Sequence, residues 1–314
     1  MQDNLFMLIF NTIAMKKFIS KIVIFFACIL VIDFIAGVLF PFLVDKAKGG
    51  DNLRNNYICN DTKEDILVFG SSRAIHHYNP NIISDSLKMA CYNCGQDGNG
   101  IILNYARYNL ILQRYTPKII IYDIIPGFDL LAGDDNHKYL KWLKAYYDRE
   151  GIPQIFESVD KTERIKMMFN LYRYNSSFVQ IVSDCIRPQQ SSGEKGFRPL
   201  FGEMDRMKIS KKKDIDNDVK YDSLKLTYMN KFINANKNVK VIFVISPTWN
   251  GMDSSQYYPI QKICEQKGLL FINFANDQKY MYNYKYFKDG AHLNAVGADE
   301  FTKDLIKTLR SKGI

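Results

Sequence analysis

The sequence predicts an α/β fold, a three-layer sandwich around a five-stranded, mostly parallel sheet. Strand-like runs and helical stretches alternate along the chain, which is typical of a doubly wound sheet. The strand-like runs are continuous and β-branched, as expected for strands that are buried on both faces. A helical insertion after the third strand and an N-terminal transmembrane helix complete the predicted architecture.

The predicted elements follow one another in an order that favours a flavodoxin-like sandwich. The predicted strands cover residues 65–69, 90–93, 118–125, 239–246 and 269–274. The predicted helices between and after them cover residues 80–89, 100–113, 222–235, 255–267 and 295–309. Right-handed crossovers then place helices on both faces of the sheet.

Residues 22–44 form a nearly continuous apolar run that is long enough to cross a bilayer as a helix. Its one charged residue, Asp33, is interpreted either as a protonated or water-exposed carboxyl or as a contact with another membrane protein. The run is too long for the apolar core of a cleaved signal peptide and lacks a small-x-small cleavage site. The sequence therefore predicts an uncleaved anchor, followed by a linker over residues 45–60.

The orientation of the anchor is predicted mainly from its position, because basic residues flank both of its ends. We predict a single-pass protein of the cell (inner) membrane, with residues 1–21 as an inner N-terminal tail. Residues 61–314 form the domain, which is expected to face the periplasm or the extracellular side. Met15 is followed by two lysines, as at the start of an export signal, so translation starting at Met15 is left open. In that case residues 1–14 are not translated.

Charge and cysteine content exclude some classes of function. The net charge of +9 suits anionic envelope polymers or lipid headgroups, and no nucleic-acid-binding motif accompanies it. Cys91 and Cys94 form a CxxC pair without a second pair or spaced histidines, so we predict no metal site and no cofactor. The cysteines are expected to be mostly buried thiols, with one disulfide outside the membrane left open.

An insertion over residues 127–222 separates the third and fourth predicted strands. Asp160 and Glu163 form a capping box that predicts one helix from there to about Ile186. Apolar residues at helical spacing along it are expected to pack in the core: Ile165, Met168, Tyr172, Val179, Val182 and Ile186. The aromatic, basic stretch 137–147 is interpreted either as a roof over the site or as an ordinary packed helix.

Two short motifs carry the chemistry. Gly-Ser-Ser-Arg at 70–73 follows the first predicted strand, and Asp-Gly-Ala-His at 289–292 precedes the last predicted helix. A serine becomes a nucleophile when a histidine takes its proton, and that histidine needs a carboxylate to fix its tautomer. We predict Ser72 as nucleophile, His292 as base and Asp289 as the carboxylate. The alternative is that Ser72 only caps a helix. His76 and His77 are not expected to be the base, and one of them is expected to line the cleft.

This pair of motifs resembles the sequence blocks of the SGNH (GDSL-type) hydrolase superfamily. The resemblance covers residues 61–125 and 239–312 and leaves the middle of the chain unmatched. It implies an oxyanion hole built from the backbone N–H groups of Ser72 and Gly95. The family's asparagine after the third strand is missing from the segment 126–129 (Pro-Gly-Phe-Asp), and Asn93 and Asn99 are alternatives for that third donor.

Active sites in such sheets lie beyond the carboxyl ends of the strands. Arg73, Asp129 and Trp249 follow the first, third and fourth predicted strands, and all three are predicted to bind substrate. An α/β-hydrolase layout is disfavoured, because several strands precede the nucleophile in that fold and only one precedes Ser72 here.

The predicted function follows from the resemblance. Single-span proteins of this kind look like the D-alanine transfer protein of teichoic acid synthesis and the alginate-type O-acetylation proteins. The resemblance implies a membrane-anchored, serine-dependent acyl ester hydrolase or O-acyltransferase, with acetyl as the expected group. Its substrate would be an envelope polysaccharide or acylated glycan, and its partner a membrane-bound O-acyltransferase. Two alternatives stay open, a non-catalytic glycan-binding or assembly subunit and a plain envelope esterase or lipase.

Overall fold

Five parallel strands form one sheet in the order β2-β1-β3-β4-β5. The computed structural model describes residues 2–133, 136–187, 193–205, 219–235 and 238–314, with side chains from residue 14 onward. The strands are β1 Ile66–Gly70, β2 Cys91–Asn93, β3 Ile119–Asp123, β4 Lys240–Ile245 and β5 Leu270–Asn273. This is the strand order of flavodoxin-like sheets, so the predicted fold class is confirmed, with every strand pair parallel.

The described part of the chain contains helices before, between and after the strands. The α-helices are α1 Gln2–Asp45, α2 Gly50–Asn56, α3 Ser72–His77, α4 Pro80–Leu87, α5 Ile101–Leu112, α6 Pro126–Asp129, α7 Ile152–Val159, α8 Glu163–Lys166, α9 Asn170–Tyr174, α10 Phe178–Ile186, α11 Ser223–Asn234, α12 Tyr258–Lys267 and α13 Ala295–Ser311. Shorter helical segments are the π-helical Tyr57–Asp61 and the 3₁₀-helical Asn136–Tyr146, Ser254–Gln256 and Tyr284–Tyr286.

Alternate side chains of each strand enter two separate apolar cores, one on each face of the sheet. Leu67 and Phe69 of β1 lie in the core formed with α5 and α11. Ile66 and Val68 of the same strand lie in the core formed with α4 and α13. Because consecutive strand residues point to opposite faces, a strand that is apolar throughout needs helices on both sides. The three layers follow from this requirement.

The N-terminal helix α1 contains a stretch from Ala14 to Asp45 that is long and apolar enough to cross a membrane. A signal sequence near the N-terminus can meet the same criterion of length and composition, so this property alone fixes neither the membrane nor the orientation. The apolar side chains of this stretch are mostly exposed, and those near its C-terminal end pack on the insertion.

The segment 45–60, predicted to be a linker, is helical from Gly50 onward and packs on the domain. Ile58 and Cys59 are fully buried in the core. Arg54 donates from Nη2 to the carbonyl oxygen of Asn93 at 2.7 Å, and Asn52 donates from Nδ2 to Asp184 Oδ2 at 2.7 Å. The linker prediction is therefore wrong, because polar side chains that suggested exposure instead form buried hydrogen bonds.

The insertion does follow β3, but its predicted long helix is divided into α8, α9 and α10. Phe169 has extended backbone angles before α9, and Asn175, Ser176 and Ser177 separate α9 from α10. Asparagine and serine side chains compete with helical hydrogen bonds, which favours a break at that point. The stretch 137–147 is a packed 3₁₀-helical segment with buried aromatic residues, so the roof interpretation is wrong.

Candidate active site

A chain of hydrogen bonds joins Ser72, His292 and Asp289 at the carboxyl edge of the sheet. His292 Nε2 lies 2.9 Å from Ser72 Oγ. His292 Nδ1 lies 3.0 Å from each carboxylate oxygen of Asp289. Since the carboxylate accepts, Nδ1 carries the hydrogen and Nε2 is left to accept the proton of the serine hydroxyl. The three predicted residues are therefore brought together with the polarity that serine activation requires.

The loop that carries Asp289 and His292 is shaped by the same carboxylate. Asp289 Oδ1 accepts the backbone N–H groups of Ala291 at 2.8 Å and of His292 at 2.9 Å. Burial opposes ionisation of Asp289, but its hydrogen bonds with the His292 ring and these N–H groups prevail and lower its pKa to about 2. Asp289 is thus an anion throughout the neutral range and faces Nδ1 of His292.

Ser72 owes its position to the tight exit of β1. It is the first residue of α3, and N–H groups in the first turn of a helix have no acceptor within the helix. The Ser72 N–H can therefore donate to an oxygen bound beside Oγ. Its neighbour Ser71 is fully buried and turned away, with Oγ 3.5 Å from the carbonyl oxygen of Gln96.

Gly95, the second predicted oxyanion donor, has its N–H engaged elsewhere. That N–H donates to Asn93 Oδ1 at 3.0 Å, and Gly95 is not among the described residues that line the cleft. The glycine is needed for packing, because an added Cβ would lie 2.6 Å from the Ile75 nitrogen and 2.7 Å from Ala74 Cβ. The structure therefore contradicts the donor prediction and places Gly95 against the back of α3.

Asn93 and Asn99, the two alternatives for the third donor, have structural roles. Asn93 donates both amide hydrogens, to the carbonyl oxygens of Ala74 at 2.7 Å and Tyr78 at 2.9 Å. Asn99 is buried and donates to the carbonyl oxygen of Asp97 at 2.7 Å.

Asp129, predicted to bind substrate, is fully buried behind the site. It accepts from the Tyr122 hydroxyl at 2.7 Å and from the Ile125 N–H at 2.8 Å. Burial raises its pKa to about 7, against the opposing effect of these hydrogen bonds. The prediction that Asp129 binds substrate is therefore wrong, because its carboxyl group faces the interior and accepts the N–H that precedes α6.

Arg73, also predicted to bind substrate, lines the cleft beside Ser72. Its Nη2 donates to the carbonyl oxygen of Ile124 and lies 3.7 Å from Asp123 Oδ1. Its Nε has no hydrogen-bond partner among the residues that the structure describes. A guanidinium has five N–H donors, and the contacts to Ile124 and Asp123 both use Nη2. This Nε atom is itself buried and Arg73 is 4% exposed, so a bound oxygen meets Arg73 only through the part of the residue that lines the cleft.

A second series of hydrogen-bonded polar groups is fully buried behind the Ser72–His292–Asp289 series. The Leu293 N–H donates to His77 Nε2 at 2.9 Å, so Nδ1 carries the hydrogen and donates to Ser246 Oγ at 2.9 Å. Ser246 Oγ in turn donates to Asp123 Oδ2 at 2.6 Å. Burial, and then the nearby His292 and Arg73, lower the pKa of His77 well below its ordinary value. His77 is thus a neutral imidazole that anchors the residue after His292.

His76 packs edge-on against His292, with ring centroids 5.4 Å apart. Its Nδ1 faces the carbonyl oxygen of Arg198 at 2.6 Å and its Nε2 faces Asp97 Oδ1 at 2.9 Å. Neither His76 nor His77 is among the described lining residues, so the prediction that one would line the cleft is wrong. Neither bonds Ser72. The supporting role of these two histidines was not predicted, because their partners lie in distant segments of the chain.

The cleft above Ser72 is open and has a volume of about 700 Å³. Loops after β1, β3, β4 and β5 form its walls, as expected for the carboxyl edge. Both polar and apolar residues line it: Arg73, Ile125, Phe128, Asn250, Met252, Asp253, Gln256, Asn276, Met281 and Tyr282. Such a lining can hold an ester with an apolar acyl part and a hydroxylated part.

Trp249, the third predicted substrate-binding residue, lies in the core beneath this wall. Its ring packs edge-on against Phe287 at a centroid distance of 5.5 Å and against Tyr282 at 5.8 Å. It is 7% exposed and is not among the described lining residues, so the substrate-binding prediction is wrong for Trp249. Phe128 and Tyr282 are the aromatic side chains among the described residues that line the cleft.

One group of described side chains brings three possible metal ligands together: His137, Asp160 and Glu163. It lies in the insertion, outside the cleft. Glu163 is buried and accepts from Lys166 Nζ at 3.1 Å and from the Tyr172 hydroxyl at 2.7 Å, which accounts for its burial. The cysteines of the chain are free thiols, Cys91 and Cys94 included.

Comparisons with known proteins give only distant structural similarity. No protein-family model matches the chain, and no curated protein matches it. A protein from Streptococcus pneumonia, provisionally named a platelet activating factor, is 13% identical with a TM-score of 0.40, over 88% of this chain and 98% of that one. An acylhydrolase, so named provisionally, from Bacteroides fragilis is 11% identical with a TM-score of 0.38, over 82% and 94%.

A third solved structure is a protein from Desulfitobacterium hafniense, provisionally placed among lipolytic proteins of the G-D-S-L family. It is 10% identical with a TM-score of 0.37, over 77% of this chain and 98% of that one. These identities and TM-scores are low, so the arrangement of side chains in the cleft is the observation that bears on function.

Proposed function

We propose that this protein is a serine-dependent esterase or O-acyltransferase of SGNH type that works through an acyl-serine intermediate. The observation that carries the proposal is the hydrogen-bonded series Ser72–His292–Asp289 at the edge of an open cleft. A helix cap would not require a histidine on the serine hydroxyl, or a carboxylate behind that histidine.

The reaction begins with proton transfer from Ser72 Oγ to His292 Nε2 as Oγ attacks the ester carbonyl carbon. Asp289 holds the ring through Nδ1 and stabilises the imidazolium that forms. The imidazolium then gives its proton to the leaving alcohol oxygen, and the C–O bond of the ester breaks. In the second half, water or a sugar hydroxyl attacks the acyl carbon of the acyl-serine and His292 takes its proton. The bond between the acyl carbon and Ser72 Oγ then breaks, and His292 returns the proton to Oγ.

The negative oxygen of the tetrahedral intermediate needs donors that are already in place. We assign one to the Ser72 N–H and another to the Arg73 guanidinium, whose anchoring contacts use only Nη2. Arg73 thereby does the work of the asparagine that the segment 126–129 lacks. Asp123 and the Ile124 carbonyl hold the guanidinium in place, so little reorganisation is required when charge develops.

The substrate class is proposed from the cleft and the N-terminal helix together. The cleft offers Phe128, Met252 and Met281 to an acyl part and Asn250 and Gln256 to hydroxyl groups. The length and apolar composition of α1 support a membrane anchor. We propose that this membrane is the cell membrane and that the domain lies on its outer side. We therefore propose an acylated envelope glycan as substrate, acetyl as the group transferred, and a membrane-bound O-acyltransferase as partner.

One observation favours a second function, a non-catalytic glycan-binding subunit. The N–H of Gly95 is withdrawn into an internal hydrogen bond, which leaves the oxyanion site with fewer backbone donors than the resemblance implies. A binding subunit would keep the cleft without needing that donor.

The test uses the full chain in detergent with p-nitrophenyl acetate and an activated phosphonate. Wild type is expected to hydrolyse the ester and to be labelled at Ser72. Ser72→Ala and His292→Ala should both lose the rate, whereas Ser71→Ala, the matched control at a buried neighbouring serine, should retain it. Equal rates in all four proteins, together with no labelling of wild type, would leave the binding subunit as the remaining function.

A further inference from the structure

The insertion has exposed apolar side chains. Four residues that helical periodicity assigned to a core are among them, so the prediction is wrong for these four: Ile165, Met168, Val179 and Ile186. We call this surface the apolar ledge and define it by six exposed residues of α9, α10 and the turn before α9: Met168, Phe169, Leu171, Phe178, Val179 and Ile186. Met168 is 74% exposed and Ile186 is 71% exposed. Single exposed apolar residues are ordinary, but a group of them on adjoining helices marks a surface that something covers.

The helices of the ledge pack directly on α1. Val44 of α1 forms a small buried cluster with Tyr174 of α9 and Ile181 of α10. The rings of Phe40 and Tyr174 lie 5.2 Å apart, and Cys185 Sγ donates to the carbonyl oxygen of Leu43 at 3.0 Å. The ledge is therefore continuous with the exposed apolar surface of the predicted membrane-spanning helix.

Asp33, the charged residue inside the apolar run, joins α1 to α9. It accepts from the Leu171 N–H at 2.8 Å and from Asn170 Nδ2 at 3.1 Å. Gly37 lies one turn further along α1, and an added Cβ there would be 2.5 Å from Asn170 Nδ2. The Leu171 N–H belongs to the first turn of α9, so it has no acceptor within the helix. Inside lipid every such group needs an internal partner, and Asp33 is one.

These contacts fix how deep the insertion reaches along α1. The carbonyl oxygen of Asp184 in α10 accepts from the Lys48 N–H at 3.0 Å, beyond the end of α1 at Asp45. The start of α9 instead meets Asp33, twelve residues before Asp45. At a rise of about 1.5 Å per residue this is about 18 Å, more than half of a hydrocarbon core of about 30 Å.

We propose that α9 and α10 are embedded in one leaflet of the bilayer beside α1, with the apolar ledge facing lipid acyl chains. The proposal rests on the membrane anchoring given under Proposed function. Lipid is favoured over a protein partner because the ledge continues the exposed apolar face of α1, which itself must face acyl chains. Arg187 follows α10 at the end of the insertion that lies beside Lys48, beyond the end of α1, and a long basic side chain there can reach towards headgroups.

The experiment places a fluorescent label at single cysteines in the full chain. Cys28 and Cys185 are first replaced by serine, since the other cysteines are buried. Val179→Cys and Met168→Cys report on the ledge, and Phe34→Cys reports on α1. Val296→Cys, 61% exposed on α13, is the matched apolar control. Each protein is placed in phosphatidylcholine–phosphatidylglycerol vesicles and exposed either to brominated acyl chains or to aqueous iodide, after its esterase rate is checked.

The proposal predicts a several-fold loss of emission with brominated lipid at residues 34, 168 and 179, and little effect of iodide there. The label at residue 296 should show the reverse. Iodide quenching at 168 and 179, with lipid quenching at 34, would overturn the embedded insertion and leave the anchor intact. Protection of 168 and 179 from both quenchers would overturn it in favour of a protein partner. No lipid quenching at 34 would instead refute the anchoring itself.

Discussion

At the scale of single residues, the site shows how hydrogen bonding gives two histidines opposite roles. His77 has both ring nitrogens engaged, by the Leu293 N–H and by Ser246 Oγ, and it is fully buried. His292 has one nitrogen on Asp289 and presents the other to Ser72. A histidine can act as a base only when one nitrogen is free to accept a proton within reach of the nucleophile. His77 therefore supports the loop, and His292 is the residue that we propose as the base.

Asp289→Asn separates the charge of Asp289 from its role in shaping the loop. The amide oxygen can still accept the Ala291 and His292 N–H groups, so the loop should keep its form. The anion is lost, and with it the stabilisation of the imidazolium. We expect kcat for p-nitrophenyl acetate to fall by about 10²- to 10⁴-fold with a small change in KM. An unchanged kcat in a folded variant would contradict the role assigned to Asp289.

Arg73→Gln tests the proposed second oxyanion donor. We expect kcat to fall by about 10²- to 10³-fold, as for the loss of one preorganised donor. Removing the guanidinium also leaves Asp123 without its cation, so the melting temperature must be measured in parallel. Arg73→Lys keeps a charge near Asp123 and serves as the comparison. Equal kcat values for wild type and a folded Arg73→Gln would exclude Arg73 as a donor.

At the scale of elements, the active site depends on how closely α3 packs against the turn after β2. Ser72 begins α3, so a shift of this helix moves Oγ away from His292. Gly95 permits the approach, because any side chain there would collide with the backbone of α3. The element that supplies the nucleophile is thus positioned by a residue that never touches substrate.

Gly95→Ala distinguishes packing from oxyanion binding. Alanine retains the backbone N–H, so a pure donor role predicts no loss. Steric collision with Ile75 and Ala74 predicts destabilisation by about 1–3 kcal/mol and a lower kcat. Thermal melting and p-nitrophenyl acetate hydrolysis provide the measurements. Gly127→Ala is the matched control, since nothing lies within 4 Å of its added Cβ. Wild-type stability in Gly95→Ala would refute the packing role.

At the scale of the whole molecule, the segment after α1 joins the apolar helix to the catalytic layer. Arg54 reaches the end of β2 through the Asn93 carbonyl oxygen, and Asp51 pairs with Arg198, whose carbonyl oxygen contacts His76. Asn52 bonds Asp184 in the insertion. The helix, the insertion and the neighbourhood of the site are thus connected by buried polar contacts.

Truncation tests this connection. A fragment that begins at residue 50 keeps α2 and the π-helical turn, and we expect it to fold in mild detergent that covers the apolar ledge. A fragment that begins at residue 62 loses Ile58 and Cys59 from the core and Arg54 from its buried contacts. Each fully buried apolar side chain contributes about 1.5–3 kcal/mol. Circular dichroism melting should show a large fall in Tm, and equal Tm values would restore the linker interpretation.

The sequence alone determined those features that local chemistry encodes. Strands that are apolar throughout need helices on both faces of the sheet. The five strands lie within a few residues of their predicted bounds. Ser72, Asp289 and His292 could be recognised because a serine after the first strand and an Asp-x-x-His motif before the last helix seldom occur together in one chain.

Only the tertiary structure decided the roles of Gly95, Asp129 and Trp249, and the fate of the apolar residues in the insertion. Each of these depends on which partner lies opposite, across segments far apart in the chain. Helical periodicity states that one face is apolar, but it does not state whether protein or lipid covers that face. The structure shows that this face is exposed beside α1, through contacts between distant segments that no local pattern contains.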